Sequence, residues 1–148
     1  MTEIKVRRLR KQDLANGFLH SLDSLRKASD LGTRKAQSIY DKVSSDPNTA
    51  IYVAVIGSKV VGAATIIIEQ KFIHGGGKAG HVEDVAVAKE MQGKGVGQKV
   101  VQALLDHARK KGCYKTILDC SEDLIPFYEK LGFKKYSVAM RFDHLSKT

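Results

Sequence analysis

The stretch from Val82 to Lys111, VEDVAVAKEMQGKGVGQKVVQALLDHARKK, changes its hydrophobic rhythm halfway along, and that change decides the fold. Its opening belongs to an apolar run from Gly80 to Val87, rich in valine, which predicts a strand. Gln92-Gly93-Lys94-Gly95-Val96-Gly97 follows as a glycine-rich turn. Val96, Val100, Val101, Leu104, Leu105 and Ala108 then fall on one helical face, and Gly112 stops the helix after Lys111. A helix that begins among glycines leaves its first N–H groups open and lets an anion approach closely, so Gln92 to Gly97 suits a phosphate. Glycines that merely make a tight strand-to-helix connection would look the same.

Upstream, Ala50 to Ile56 and Val60 to Phe72 read as strands joined by Gly57-Ser58-Lys59, a connection short enough for an antiparallel hairpin. Val60 to Ile68 is too continuously apolar for a strand wetted on one face, which places it mid-sheet under helices. Gly75-Gly76-Gly77-Lys78 reads as a flexible hairpin loop; Ala79 stands where a Walker loop needs Ser or Thr. Nearer the start, Ile4 to Leu9 is a short strand and Asp13 is placed to cap a helix carrying Leu14, Phe18, Leu22 and Leu25 on one face. A second helix runs from Thr33 to near Ser44, before a loop around Pro47. Beyond Gly112 come a strand from Lys115 to Cys120, a helix from about Leu124 to Leu131, and a final strand from Tyr136 to Phe142. The order predicts one α/β domain over residues 1–148, with a mixed, mainly antiparallel central sheet and helices on both faces.

The 148 residues are 43% hydrophobic, enough for one core. No apolar run reaches the roughly 18 residues of a membrane span, and Met1 to Lys11 lacks a secretory apolar stretch, so a soluble intracellular protein with no membrane partner is expected. Lys and Arg number 25 against 16 Asp and Glu, a formal charge of +9, which points to an anionic partner. The basic residues are scattered and no aromatic RNA-binding stripe, zinc finger or basic zipper is present, so a phosphorylated small molecule is favoured over nucleic acid. Cys113 and Cys120 are too few for a disulfide framework and read as small buried hydrophobes. His20, His74, His81, His107 and His144 show no metal-ligand spacing, and no metal is expected.

Three sites hold polar groups in apolar company. Asp119, inside Ile117 to Cys120, would be a costly charge in a strand unless hydrogen-bonded; it is either structural or chemically active. In a regular strand Glu83 and Asp84 project to opposite faces, so only one reaches a given cleft unless the strand is bulged; both could equally be surface carboxylates. Tyr128 has the spacing of a core tyrosine whose hydroxyl reaches the surface.

The turn Gln92 to Gly97 matches the (Gln/Arg)-x-x-Gly-x-(Gly/Ala) pattern of the GCN5-related N-acetyltransferases, and the element order resembles that family over nearly the whole chain. Gly80 to Val87, Gly112 to Cys120 and Phe127 to Phe133 are similar, in order and spacing, to blocks of the branch that acetylates glucosamine 6-phosphate. The resemblance implies acetyl-coenzyme A as cosubstrate and direct acetyl transfer to the sugar's 2-amino group, on the way to UDP-N-acetylglucosamine. It also implies a homodimer in which both chains complete the sugar sites. Val85, Ala86 and Val87 would pair with the pantetheine arm, and Gln92, Gly93, Lys94, Gly95, Val96, Gly97 and Gln98 would hold the cofactor phosphates. Tyr128 would stand beside the coenzyme sulfur. Glu83, Asp119 and Tyr128 would be catalytic, with Lys71, His74, Glu83, Asp84, Tyr114, Lys115 and Arg141 on the sugar phosphate. No acyl-enzyme is implied, so the cysteines are not nucleophiles. Two positions depart from the family: Arg26 stands at a threonine position, and Asp143 where the family carries a substrate arginine. Arg141, two residues earlier on the same strand face, could substitute. The alternatives are an acetyltransferase for a protein lysine or polyamine, or a basic binding module without activity. A cytoplasmic location is expected; Ser146-Lys147-Thr148 is one residue away from a peroxisomal address, so such an organelle stays open.

Overall fold

β1 (Lys5–Arg8), β2 (Thr49–Ile56), β3 (Lys59–Gln70), β4 (Lys78–Val87) and β5 (Cys113–Ile117) form a sheet in chain order. The first four are antiparallel, and β5 joins β4 in parallel. The computed structural model describes residues 3–145, so Ser146, Lys147 and Thr148 lie outside the described residues. Two units divide after Leu118: the first holds the sheet, the second starts at Asp119.

Within the first unit, helices α1 (Phe18–Leu22), α2 (Thr33–Ser44) and α4 (Val96–Lys110) surround the sheet, and Ile73–Gly76 forms a single helical turn, α3. The apolar stripe of α4 is its packing face: Val96, Val100, Leu104 and Ala108 are buried against Ala64, Ile66, Ile68 and Val82. Each fully buried Val or Leu there contributes about 1.5–3 kcal/mol. The opposite face carries a second cluster, in which Phe18 packs on Val53, Val55, Val60 and Ala63. β3 is therefore covered on both sides, as its unbroken apolar run requires.

Four expectations are corrected. Asp13 caps nothing as a first residue: it sits within a 3-10 turn, Lys11–Ala15, almost fully buried. Arg7 donates to both its carboxylate oxygens at 2.7 and 2.9 Å, and the Arg10 N–H donates at 2.7 Å. The helix expected through Leu25 breaks at Gly17, which adopts φ +102° and where a Cβ would stand 2.5 Å from the Val60 carbonyl oxygen. α1 ends at Leu22 and leaves Leu25 exposed. Cys113 is half-buried and Cys120 exposed, not both buried. Finally, Tyr136 to Phe142 forms no strand: a strand exists only by pairing, and the five paired strands among the described residues lie before Leu118. Tyr136, Val138, Met140 and Phe142, which alternate along that segment, are between 75 and 94% exposed.

The Gly75–Gly77 segment, expected as a flexible loop, is closed by hydrogen bonds. Gly76 and Gly77 N–H donate to the Phe72 and Ile73 carbonyls at 3.0 and 3.2 Å, and the Gln70 amide donates to the Gly76 carbonyl at 2.8 Å. No helix among the described residues is long and apolar enough to cross a membrane.

Candidate active site

Between Ala63 and Thr65, β3 advances two residues while β4 opposite advances three, from Ala86 to Glu83. The extra residue is a β-bulge, and Asp84 absorbs it at φ +51°. Aspartate is among the few side chains that enter this left-handed region at modest cost. The bulge meets the condition under which Glu83 and Asp84 escape strict alternation, and both are exposed. Val85 and Val87 beside them are half-buried and Ala86 is buried.

β4 leads directly into the turn. The Ala88 N–H donates to the Val61 carbonyl at 2.8 Å, and Glu90 in the following 3-10 turn (Lys89–Met91) meets His20 at 3.3 Å and Lys59 at 3.8 Å. Gln92 donates its side-chain amide to the Val87 carbonyl at 3.3 Å. Gly93 and Gly95 take φ +79° and +83°, yet a Cβ at either would meet open space. Backbone conformation, not crowding, demands glycine at both. Gly95 is the N-cap of α4, and no side chain caps that end. The uncapped first turn of a 15-residue helix offers N–H donors and the positive end of its dipole. A cleft of about 550 Å³ beside it is lined by Lys59, Val61, Glu90, Met91 and Lys94 among others. Open space over the turn, free-facing donors and a neighbouring Lys94 fit a diphosphate.

A second group gathers where the β3–β4 connection meets β5. His74, at φ +55°, stacks on Tyr114 with centroids 4.1 Å apart and planes 31° from parallel. Gly77 permits this, since a Cβ there would stand 2.9 Å from the Tyr114 ring. The Lys115 ammonium lies 5.6 Å from the centre of the same ring. Lys71 is held by Glu69 at 3.2 Å, and Glu69 also meets His81 Nε2 at 2.9 Å. Hydrogen bonds from His81 and then Lys71 hold the Glu69 carboxyl below its usual range.

The second unit holds the remaining candidates. Asp119 follows the end of β5 at Ile117 and is exposed, so the expected cost of a charge inside an apolar strand does not arise. Tyr128, in α5 (Ile125–Lys130), is 8% exposed and meets the rings of Phe127 and Phe133 edge-on at 4.9 and 5.7 Å. Burial, and secondarily Cys120, pushes its phenol above the usual value, so the hydroxyl keeps its proton at neutral pH. Arg141 bonds Asp143 at 2.6 Å. With no strand formed there, the expectation that Arg141 shares a strand face with that position loses its basis.

The model of the acetyltransferase (GNAT) family matches residues 16–133. The chain belongs to that family. It is similar to the glucosamine 6-phosphate N-acetyltransferase of Arabidopsis thaliana, 34% identical over 92% of this chain and 93% of the relative. The Trypanosoma brucei brucei protein of the same name is 36% identical over 97% of both chains. The crystal structure of the Arabidopsis thaliana enzyme superposes with a TM-score of 0.92 over 96% of this chain and 99% of that one.

As a GNAT acetyltransferase, the chain gathers the turn residues Gln92 to Gln98 at one helix start, and His74, Tyr114 and Lys115 at one stack. Lys71 is engaged by Glu69 instead of standing with them. Sequence reasoning missed Glu69 and His81. Their signal was available: each occupies a position one residue out of phase with the buried Ile68 or Val82, on the face away from α4.

Proposed function

We propose that the chain transfers the acetyl group of acetyl-coenzyme A to the 2-amino group of glucosamine 6-phosphate, as one acetyltransferase domain. The observation that carries this reading is the likeness, along more than nine-tenths of the chain, to two enzymes of that name. The glycine turn at the uncapped start of α4 supports the cofactor half: Gln92 to Gln98 hold the phosphates, and Val85 to Val87 pair with the pantetheine arm. Acetyl-coenzyme A supplies an activated acetyl thioester when bound. The bulge interrupts the ladder at Asp84 and Val85, which supports the Val85 N–H as the donor that polarises the acetyl carbonyl oxygen. Glu83 takes a proton from the sugar ammonium through water, so that the nitrogen attacks as a free amine. Tyr128, proton-bearing and buried, donates its proton to the departing sulfur. Asp119 orients the amine, and no residue becomes acylated. His74, Tyr114, Lys115, Asp84, Lys71 and Arg141 line the sugar-phosphate side, with the lysines and arginine answering the phosphate charge.

The homodimer is part of the proposal. Four alternating apolar side chains from Tyr136 to Phe142 stand exposed in the single chain, a pattern suited to pairing within a second copy. Thiol release measured with glucosamine 6-phosphate, glucosamine and a lysine peptide tests the whole reading. The phosphosugar is expected to be fastest. Preference for the peptide would assign another amine, and no release with any acceptor would leave a binding module.

A further inference from the structure

Gly80 and Val82 of β4 turn toward α4: a Cβ at Gly80 would meet Ala108, and Val82 lies in the core with Val100 and Leu104. His81 and Glu83 therefore project from the other face, two residues apart, up to the bulge. Ile68 is buried on the α4 side, so Glu69 of β3 shares the face of His81, which it meets at 2.9 Å. An ionised carboxylate can only accept, so the imidazole Nε2 carries the hydrogen in this pair. In neutral His81 that leaves Nδ1 as the lone-pair nitrogen. A carboxylate thus fixes the tautomer of an imidazole next along the strand from the carboxylate assigned as base.

We propose that His81, oriented by Glu69, is a positioning residue for Glu83 that clears the proton Glu83 receives. The inference rests on the reading of Glu83 as the base for the sugar amine. The proton leaves the substrate ammonium nitrogen, crosses one water to the Glu83 carboxylate, passes to His81 Nδ1, and is lost to solvent. Glu83 returns to its ionised form and His81 to its neutral form, so nothing is consumed. Lys71, 3.2 Å from Glu69, keeps that carboxylate ionised, and the pair is reachable by water, with side chains 33 and 46% exposed. Lys115 of β5, in register with Ala79, and Glu83 also bring charge to this face. On α1, which packs against the same strands, His20 is turned to Glu90 and Asp23.

The test compares parent, His81→Gln and Glu69→Gln in thiol release with glucosamine 6-phosphate across pH, with and without added imidazole. For His81→Gln, kcat is expected to fall about tenfold, below the loss of a general base itself, while KM for the sugar stays within twofold. Added imidazole restores most of the lost rate in His81→Gln and leaves the parent unchanged. Glu69→Gln gives a smaller loss in the same direction, also rescued. A parental kcat in both variants, or a loss that imidazole leaves untouched, overturns the relay. A parent that releases no thiol with the phosphosugar removes the underlying reading and the relay with it.

Discussion

Gly62 on β3 sits where the start of α4 meets the sheet, and replacing it with alanine tests whether that approach sets the cofactor turn. A Cβ at Gly62 would stand 2.5 Å from Val96 Cγ1 and 3.2 Å from the Ala86 carbonyl oxygen. Ordinary carbon contacts are about 3.5–4.0 Å, so Val96, the first residue of α4, must withdraw by about 1 Å. Valine cannot swing its methyl aside, because its χ1 is restricted in a helix. Overpacking of this kind costs about 1–3 kcal/mol, offset in part by the roughly 0.5–1 kcal/mol that alanine recovers over glycine within a strand. The expected net loss is about 1–2 kcal/mol, a fall in Tm of roughly 3–6 °C for a chain of this size. Because Val96 opens the helix whose uncapped end is proposed to hold the phosphates, KM for acetyl-coenzyme A should rise several-fold while KM for the sugar stays put. Val96→Ala alone empties buried space and is also destabilising. Combined, the new methyl at residue 62 fills what Val96 vacates, and the pair should be more stable than the summed singles by about 1 kcal/mol. Urea unfolding of the four proteins measures this. Strict additivity, or a single variant with unchanged stability and unchanged coenzyme KM, would refute the close approach as the element that positions the turn.

Two further outcomes follow from groups with displaced ionisation. Burial pushes the Asp13 carboxyl up, but hydrogen bonds from Arg7 and Arg10 and their charges outweigh it, so the folded value lies below the ordinary 3.8. A lowered folded value means stability fully present above the unfolded value and lost as pH falls through the folded one. Asp13→Ala should cost about 2–4 kcal/mol at neutral pH in urea unfolding and flatten the loss of stability below about pH 4, since Arg7 is left without its partner. Tyr128→Phe should lower kcat at least tenfold with acetyl-coenzyme A KM within twofold, because the missing hydroxyl matters only as the thiolate forms. Unchanged single-turnover rates would remove Tyr128 from the chemistry.

The β2–β3 hairpin, the covered strand and the α4 stripe were legible because they depend on local pattern: the apolar run Val60 to Ile68 can only be a covered strand, and Val96 to Ala108 only a buried helical face. The failures lie where a residue's state is set by a partner distant in sequence. Asp13 has the look of a helix cap, and only the approach of Arg7 from β1 turns it into a buried ion pair. Tyr136 to Phe142 has a strand's alternation, but alternation describes faces and not hydrogen-bond partners, and no strand among the described residues pairs with it. Leu25 keeps the helical spacing, yet the expected helix is interrupted at Gly17 and α1 ends at Leu22, so Leu25 falls beyond the helix and is exposed.

The acidic pair shows why site chemistry is harder to read than fold. Adjacent carboxylates on a regular strand cannot serve one cleft, and composition gives no hint that this strand is irregular. The irregularity comes from a register mismatch: β3 must keep Ala63 against Ala86 and Thr65 against Glu83, and the surplus residue falls on Asp84. A side chain that tolerates positive φ is needed there, and a ladder so interrupted leaves Asp84 and Val85 without a register partner on β3. One inserted residue therefore supplies both a displaced carboxylate and a candidate carbonyl-polarising N–H, immediately before the turn at the start of α4. Deleting residue 84 would restore pairing and strengthen the sheet locally while dismantling that arrangement, so stability and acetyl transfer should move in opposite directions.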